Sequence, residues 1–332
     1  MKIVIDTLGS DNGAKDIIDA CVEIYNLKKI QFVFVGEEKF LEKQLENKIE
    51  PKDYEIINSL ETISNDEDPV RAIRKKKKSS MVMAFNRLND SDCDGLISCG
   101  STGALLSCGI FITGRIKSIK RATLAASIPT LKGNSLLVDS GANVDCKSEF
   151  LRDFAIMGDI YSKFVFDNKK PRIGLLNIGV ESHKGNKLSK ETYKLLKNEK
   201  RIDFIGNIEA RDILNGTADV IVADGFDGNI ALKSAEGMAV AILNQLKSAL
   251  KSSAKTKFAA LLFKSELKNS LKVFDYKEVG GAPLLGVNKA VFKAHGNSDK
   301  RAFKNALLLL IDYIEKDVIS YLKEELCLEK NL

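Results

Sequence analysis

Residues 2–35 read KIVIDTLGSDNGAKDIIDACVEIYNLKKIQFVFV. Apolar, β-branched runs at Lys2–Ile5 and Gln31–Val35 predict two strands, and the stretch between them, Ala14–Leu27, has the apolar period of a helix. A strand, a helix and a second strand in this order form a βαβ unit, in which the two strands lie parallel in one sheet. This stretch therefore predicts an α/β protein with a mostly parallel sheet.

The same alternation continues through the first two thirds of the chain. Five further runs predict strands, at Gly95–Ser98, Ser135–Asp139, Arg172–Asn177, Ile202–Gly206 and Asp219–Ala223. A helical stretch at Leu188–Lys197 lies between two of them. Because neither a repeat nor a Pro- or Ser-rich linker divides the chain, we expect residues 1–332 to form one α/β domain. Its sheet is expected to be flanked by helices in a Rossmann-like, three-layer arrangement.

After Ala223 the pattern predicts long helices instead of strands. These helices are expected over Ile230–Leu250, Phe258–Phe274 and Asn305–Leu326. We expect a helical hairpin at about residues 240–275 to protrude from the domain. The window 247–277 holds eight lysines and two acidic residues, so it alone accounts for the net charge of +6.

The second helix of this hairpin is predicted to be basic and amphipathic. Its apolar residues recur at intervals of four, four and three, at Phe263, Leu267, Leu271 and Phe274, and lysines 264, 268 and 272 follow three of them. Such a helix lies on anionic lipid or meets an acidic partner. We therefore predict peripheral membrane contact through the apolar residues Phe258, Leu261, Leu262 and Phe263. The alternative is a helix packed on the body or on a second subunit, with the lysines facing water.

Composition narrows the class of protein. The chain has 332 residues, of which 44% are hydrophobic and 29% charged, which is typical of a globular protein and not of a disordered one. No apolar run exceeds six residues, whereas a membrane-spanning helix needs roughly 18–20. The first residues predict a strand and not a secretory signal, so we expect a cytoplasmic protein. The basic window contains no arginine, and the chain no tryptophan, so nucleic acid is not an expected partner.

Cysteine and histidine spacing argues against a metal site. The six cysteines include no C-x-x-C pair, and His183 and His295 lie far from any cysteine. We expect reduced cytosolic thiols that serve as small core residues.

Glycine and small polar residues follow several of the predicted strands. These loops are residues 7–13, 99–103, 139–143, 177–179 and 224–229. In a parallel sheet they meet at the carboxyl ends of the strands, where helix N-termini offer N–H groups to an anion. Glycine also makes ordinary tight turns, but five such loops with Asp, Asn or Thr beside glycine favour a phosphate-type site.

The sequence lacks the motifs of several common nucleotide-binding and hydrolase sites. No two glycines are spaced G-x-G, which argues against a conventional dinucleotide-binding dehydrogenase, and neither a Walker A loop nor a G-x-S-x-G elbow is present. The remaining set consists of lysine, asparagine, threonine, backbone N–H groups and one or two histidines. It suits a reaction in which the bound anion is the nucleophile, such as phosphate attacking a thioester, because the enzyme then has to orient the anion and stabilise an oxyanion.

Longer motifs resemble one family along most of the chain. They include DPVRAIR (68–74), SCGSTGA (98–104), DSGAN (139–143), FAIMG (154–158), LLNIG (175–179), DGFDGN (224–229), GGAPLLG (280–286) and HG (295–296). Together they resemble the bacterial phosphate acyltransferases of the PlsX type. The chain has Ser101 where that family has asparagine.

The resemblance implies an activity, partners and a fold. It implies transfer of an acyl group from acyl carrier protein to inorganic phosphate, which gives acyl phosphate for phospholipid synthesis, without a cofactor. It also implies a homodimer, an acidic acyl carrier protein as partner, and a fold similar to phosphotransacetylases and isocitrate dehydrogenases. The basic cluster Arg71–Lys78 is an expected docking surface, although such a run is also typical of a solvated face. The alternative activity is a phosphate acetyl- or butyryltransferase acting on acyl-CoA.

Site residues are predicted from the loops and the resemblance together. Lys184, Asn229, His295 and Asp224 are the predicted catalytic residues. The predicted phosphate- and substrate-binding residues are Ser101, Thr102, Gly103, Asn143, Asn177, Gly225, Gly228 and Lys233. Asn229 and Asp224 have helix capping or turn capping as their structural alternative.

Overall fold

A computed structural model describes residues 1–263, 266 and 280–327. Within these residues eleven strands form one sheet, in the order β3-β2-β1-β4-β11-β10-β5-β6-β9-β7-β8. The strands are β1 (Lys2–Asp6), β2 (Gln31–Gly36), β3 (Tyr54–Asn58), β4 (Gly95–Ser98), β5 (Thr123–Thr130), β6 (Gly133–Val138), β7 (Arg172–Asn177), β8 (Asp203–Glu209), β9 (Val220–Val222), β10 (Gly281–Leu285) and β11 (Ala290–Ala294).

Helices connect most of these strands. They are α1 (Ala14–Leu27), α2 (Glu38–Leu45), α3 (Pro69–Lys75), α4 (Ser80–Leu88), α5 (Thr102–Cys108), α6 (Ser148–Val165), α7 (Lys187–Asn198), α8 (Gly225–Lys251), α9 (Ala254–Leu262), α10 (Lys300–Glu315) and α11 (Val318–Cys327). The predicted bounds of α1, β4 and β7 agree with the structure, and the other predicted strands shift by one to three residues.

The sheet is parallel except around β10 and β5. Strand β10 runs antiparallel to both β11 and β5, and β5 runs antiparallel to β6. The other neighbouring strands pair in parallel. The predicted α/β class with a mostly parallel sheet is therefore confirmed.

Apolar side chains cover both faces of the sheet. Ile3 and Ile5 of β1 face a core that also takes in α1, α6, α10 and α11. Val4, between them, faces the opposite core, which α3, α4 and α5 complete. Successive side chains of a strand point to opposite faces, so this strand needs apolar residues at every position, and helices flank the sheet on both sides.

The last third of the chain differs from its predicted pattern in two places. The helix predicted over Asn305–Leu326 is two helices, α10 and α11, because Asp317 adopts a left-handed φ of 46° that no α-helix can continue through. Strands β10 and β11 occupy a region where the pattern predicts only helices. The GAPLL sequence of β10 lacks β-branched residues, and its strand conformation depends on pairing between two neighbours.

Helices α8 and α9 form the part of the predicted hairpin that the structure describes. Only Gly225 and Gly228 of the 27-residue helix α8 are buried, so most of this helix is accessible at the surface. Helix α9 begins at Ala254, four residues before the predicted start, and Ser252–Ser253 join the two helices. The rest of the predicted helix, with the stripe of lysines 264, 268 and 272, lies outside the described residues, as do the side chains of Leu261 and Leu262. Across the described ranges, no helix combines the length and apolarity needed to cross a bilayer.

Candidate active site

A cavity of about 460 Å³ opens at the carboxyl ends of β4, β6 and β11, beneath helix α8. Polar groups line one part of it: Thr102, Ser140, Asn229, Lys233, Glu236, Lys293 and His295. The rest is lined by Ser127 and by mostly apolar side chains that include Leu124, Ile128, Pro129, Leu214, Leu232, Met238 and Leu243. The cavity can therefore take a molecule with an anionic end and an apolar chain.

Charged groups from α8 and β11 meet in the polar part. The Lys233 ammonium lies 2.8 Å from Oε2 of Glu236, and Oε1 of the same carboxylate lies 3.9 Å from Nε2 of His295. Burial lowers the pKa of His295, while the Glu236 carboxylate opposes this shift. At neutral pH the imidazole is therefore expected to be uncharged and to act as a hydrogen-bond donor or acceptor.

The loop that carries His295 is held by the loop after β1. The amide of Asp11 donates to the carbonyl of Gly296 at 2.7 Å. The side-chain amide of Asn12 donates to the carbonyls of Asn297 and Ser298, at 2.9 and 3.2 Å. Two strand-end loops that are distant in the sequence therefore fix the position of His295.

The loop after β4 rests on a buried carboxylate. Ser98 donates to Asp6 through a 2.6 Å hydrogen bond and accepts from the amide of Gly100 at 3.0 Å. Burial raises the pKa of Asp6 to about 6, against hydrogen bonds that favour the charged form. Thr102, the first residue of α5, reaches the cavity from this loop.

Ser101 and Gly103, which flank Thr102 in the predicted phosphate-binding loop, are not among the described residues that line the cavity. Ser101 occupies the N-cap position of α5 without a side-chain capping bond. Gly103 lies against α3, where an added Cβ would be 3.2 Å from Pro69. The phosphate-binding role of both residues stays a prediction.

The loop after β6 uses its N–H groups internally. The Asp139 carboxylate accepts from the amides of Gly141, Ala142 and Asn143 at 2.6–3.1 Å, and from the side-chain amide of Asn143 at 2.8 Å. That side-chain amide also donates to the carbonyl of Ala122. These donors therefore hold the loop together, and the phosphate-binding role of Asn143 stays a prediction.

Asp224 begins α8 and fixes its first turn. Its carboxylate accepts from the amide of Phe226 at 2.9 Å and from the amide of Cys146 at 2.8 Å. This is the capping alternative that the sequence left open for Asp224. Asn229 is not a cap, because α8 starts four residues earlier, and its exposed side chain lines the cavity. The catalytic role of both residues stays a prediction.

Gly225 and Gly228 bring α8 close to the loop after β6. An added Cβ would lie 2.4 Å from the carbonyl oxygen of Asn143 at Gly225, and 2.1 Å from that of Asp139 at Gly228. Both glycines therefore allow helix and loop to touch. Their predicted role in phosphate binding is not tested by this contact.

Asn177 ends β7, and Lys184 lies in the loop that follows this strand. Asn177 accepts from the amide of Ile178 at 2.8 Å and donates to the carbonyl of Lys184 at 3.3 Å, while the Lys184 side chain is exposed. Neither is among the described residues that line the cavity. Their catalytic and binding roles stay predictions.

Two charged residues of the cavity were missing from the predicted site residues. Glu236 and Lys293 lie close in the sequence to two predicted residues, Lys233 and His295. The signal for Glu236 was its helical spacing of three from Lys233, which puts both on one face. Lys293 lies in a strand, two residues before His295, so period-two alternation places both side chains on one face of the sheet. Within the described ranges, no three His, Cys, Asp or Glu side chains are grouped to hold a metal ion.

Two solved structures with a similar fold are phosphotransacetylases by name. A phosphotransacetylase from Streptococcus pyogenes superposes with a TM-score of 0.61 at 18% identity, over 95% of this chain and 94% of that one. The EutD phosphotransacetylase from Staphylococcus aureus gives 0.57 at 14% identity, with the same coverage. At these identities the similarity shows the fold alone, and it confirms the expected phosphotransacetylase-like architecture.

Sequence comparison shows the family. The chain matches the family model described as "Fatty acid synthesis protein" over residues 1–321. It is 48% identical over 328 residues to the phosphate acyltransferase of Clostridium botulinum (strain Alaska E43 / Type E3), covering 98% of both chains. It is 45% identical over 309 residues to that of Clostridioides difficile (strain 630), covering 92% of this chain and 91% of the other. The resemblance carried by the motifs is confirmed, and the chain belongs to the phosphate acyltransferase family.

Proposed function

We propose that this protein transfers an acyl group from acyl carrier protein to inorganic phosphate and so supplies acyl phosphate for phospholipid synthesis. Family membership supports the reaction class. The single observation that supports the choice of substrate is the cavity. Its polar part, which holds Lys233 and Lys293, continues into a part lined by apolar side chains such as Leu124, Leu214 and Met238. The polar part suits phosphate, and the apolar part suits the hydrocarbon chain of the thioester.

The reaction requires orientation and charge stabilisation. An oxygen of HPO₄²⁻ forms a bond to the thioester carbonyl carbon, and the carbonyl electron pair moves onto its oxygen. When the pair returns, the carbon–sulfur bond breaks, and the proton of the phosphate ends on the departing thiol. Asn229 offers an amide donor for the developing oxyanion, and neutral His295 offers a hydrogen bond to phosphate or thiol. Lys184 is proposed as a further cation for this site.

The apolar part of the cavity distinguishes the proposed substrate, a long-chain thioester, from the alternative substrate, a short-chain acyl-CoA. An acetyl or butyryl group would leave most of the surface of Ile128, Leu232 and Leu243 uncovered. A long acyl chain buries these side chains, and each buried methylene contributes about 0.8 kcal/mol of binding free energy. The structure thus favours a long-chain thioester over a short acyl-CoA.

Incubation of the protein with long-chain acyl carrier protein is expected to release thiol and form acyl phosphate only when phosphate is present. Acetyl-CoA, tested in parallel with phosphate, is expected to react far more slowly. Thiol release at the same rate without phosphate would identify a thioesterase, and preferential use of acetyl-CoA would favour the alternative activity. The measurement is free thiol together with acyl hydroxamate formed from the product.

Acyl carrier protein is the proposed donor partner. Arg71, Arg74, Lys75 and Lys77 expose cationic side chains on and just after α3. Helix α3 packs on α5, the helix whose first residue, Thr102, lines the cavity. An acidic helical protein bound there would have its thioester beside the cavity.

Helix α8 supports the proposal of a homodimer. Its exposed apolar side chains Phe226 and Ile230 lie outside the cavity lining and present a surface that a second subunit would cover. Light scattering at micromolar concentration is expected to give twice the chain mass of 36.6 kDa. A mass of one chain would contradict the dimer.

Contact with an anionic membrane is proposed for the end of the hairpin. Phe258 and Phe263 are 65% and 64% exposed, and Lys255 and Lys257 lie beside them. Each lysine near an anionic surface contributes about 1 kcal/mol, so the attachment would be reversible and sensitive to salt.

Replacing Leu261 and Leu262 with Glu is expected to abolish co-sedimentation with phosphatidylglycerol vesicles at low salt, because two carboxylates would have to enter the interface. Activity in the absence of vesicles is expected to persist. The control is Leu60→Glu, since Leu60 is 75% exposed outside the hairpin. Failure of the unmodified protein to co-sediment would assign the basic stripe to a protein interface.

A further inference from the structure

Three neighbouring strands end in a row of polar residues beneath the cavity. In the register of the sheet, Ser98 of β4 pairs with Asp6 of β1 on one side and with Lys293 of β11 on the other. Asp6 holds Ser98 through a 2.6 Å hydrogen bond, so the end of β4 is fixed. Lys293 is attached to the same strand end, because its ammonium donates to the carbonyl of Cys99 at 3.2 Å.

The surroundings of the Lys293 ammonium contain no close counter-charge. Its hydrogen bonds within the described residues go to two backbone carbonyls, those of Cys99 and Ala294, and no carboxylate of these residues lies within 4 Å of it. Asp6 and Asp11 act on it only from a longer distance. Burial lowers the pKa of this ammonium, since removal from water disfavours the charged form.

The other cavity lysine is in the opposite situation. The ammonium of Lys233 is 2.8 Å from the Glu236 carboxylate, and its side chain is 58% exposed. Its charge is therefore largely compensated before any ligand binds. A dianion entering the cavity gains most from the cation that is half-buried and not yet neutralised, because attraction between charges is stronger where water is excluded.

We infer that Lys293 is the cation that binds the phosphate nucleophile in the cavity. This inference rests on the proposed function, and it names a phosphate ligand that neither the loop motifs nor the family resemblance assigned. Thr102 and His295 line the same polar part and can supply hydrogen bonds to the remaining phosphate oxygens. The carbonyl of Cys99 then keeps the ammonium in place, on a strand end that Asp6 and Ser98 make rigid.

The competing role for Lys293 is a purely structural link between β11 and β4. Lys293→Gln distinguishes the two, because a glutamine amide can still donate to a backbone carbonyl but carries no charge. The matched control is Lys289→Gln. Lys289 lies at the opposite end of the same strand pair and donates to the carbonyl of Cys93 at 2.8 Å, yet does not line the cavity.

Steady-state kinetics with phosphate as the varied substrate give the first readout. Lys293→Gln is expected to raise the KM for phosphate at least tenfold while the KM for the thioester stays within twofold. Lys289→Gln is expected to change neither. Lys293→Arg, which keeps a cation but changes its reach, is expected to recover part of the phosphate affinity.

The second readout does not need turnover. A ligand that binds the folded state raises the melting temperature, so inorganic phosphate is expected to stabilise the unmodified protein and Lys289→Gln, but not Lys293→Gln. An unchanged phosphate KM and an unchanged thermal shift in Lys293→Gln would overturn the inference. If circular dichroism shows that this variant is unfolded, Lys293→Arg decides: an unchanged phosphate KM there overturns the inference, and a raised one supports it. Absence of phosphate-dependent turnover in the unmodified protein would instead contradict the proposed function.

Discussion

Gly228→Ala is expected to lower the free energy of unfolding by about 3 kcal/mol and to abolish most of the activity. The added Cβ would lie 2.1 Å from the carbonyl oxygen of Asp139, far inside van der Waals contact, and a backbone atom cannot rotate away as a side chain can. Helix α8 or the loop after β6 must then move. Asn229 follows Gly228 directly, so such a movement also displaces a side chain of the cavity.

Gly237→Ala provides the matched control in the same helix. Nothing lies within 4 Å of the position that its added Cβ would take, and alanine favours a helix over glycine by about 1 kcal/mol, so this variant is expected to be slightly more stable. Both substitutions replace a glycine of the same helix with alanine, so they make the same change in helix propensity. The difference between their free energies of unfolding therefore measures the contact between the added Cβ at position 228 and Asp139 alone. Urea unfolding of the two variants checks the prediction, and equal stabilities would contradict the close approach of α8 to Asp139.

The local sequence pattern predicted the bounds of those elements whose own residues favour the conformation that they adopt in the fold. Helix α1 and strands β4 and β7 have strong apolar periodicity and clear boundaries, and their predicted bounds hold. Strand β10 was missed because Gly281 and Pro283 weaken any local strand signal, and only its two neighbours impose the conformation. The break at Asp317 was missed because one residue in the left-handed region leaves the apolar period on either side intact.

For the candidate site, the sequence indicated which loops form it, but not which of their groups are already hydrogen-bonded or ion-paired. Glycine-rich loops do meet at the carboxyl ends of the strands, and Thr102, Asn229, Lys233 and His295 converge on one cavity. Pattern alone could not show that Asp139 consumes the N–H groups of its own loop, because this depends on the left-handed backbone of that residue. Nor could it show which lysines are already paired, since that requires the distances between side chains.

Asn229→Ala is expected to lower turnover by at least roughly 10²-fold, the usual scale for loss of a group that stabilises the transition state. Its side-chain amide makes no hydrogen bond to the described part of the chain and lies exposed at the cavity, so it is available to substrate. Alanine is a better helix former than asparagine, and the variant should therefore fold at least as well as the unmodified protein. A loss of rate would then report on chemistry and not on stability.

The matched control is Asn244→Ala, which removes an exposed amide from the same helix outside the cavity and is expected to keep full activity. Lys184→Ala is predicted to show the same 10²-fold loss, although Lys184 lies on the exposed loop after β7 and Asn229 lies on α8. Equal losses would mean that the β7 loop reaches the reacting groups when substrate is bound. A loss confined to Asn229→Ala would limit the catalytic centre to the cavity. Near-normal turnover of Asn229→Ala, measured as phosphate-dependent thiol release at saturating substrate, would remove that residue from the mechanism.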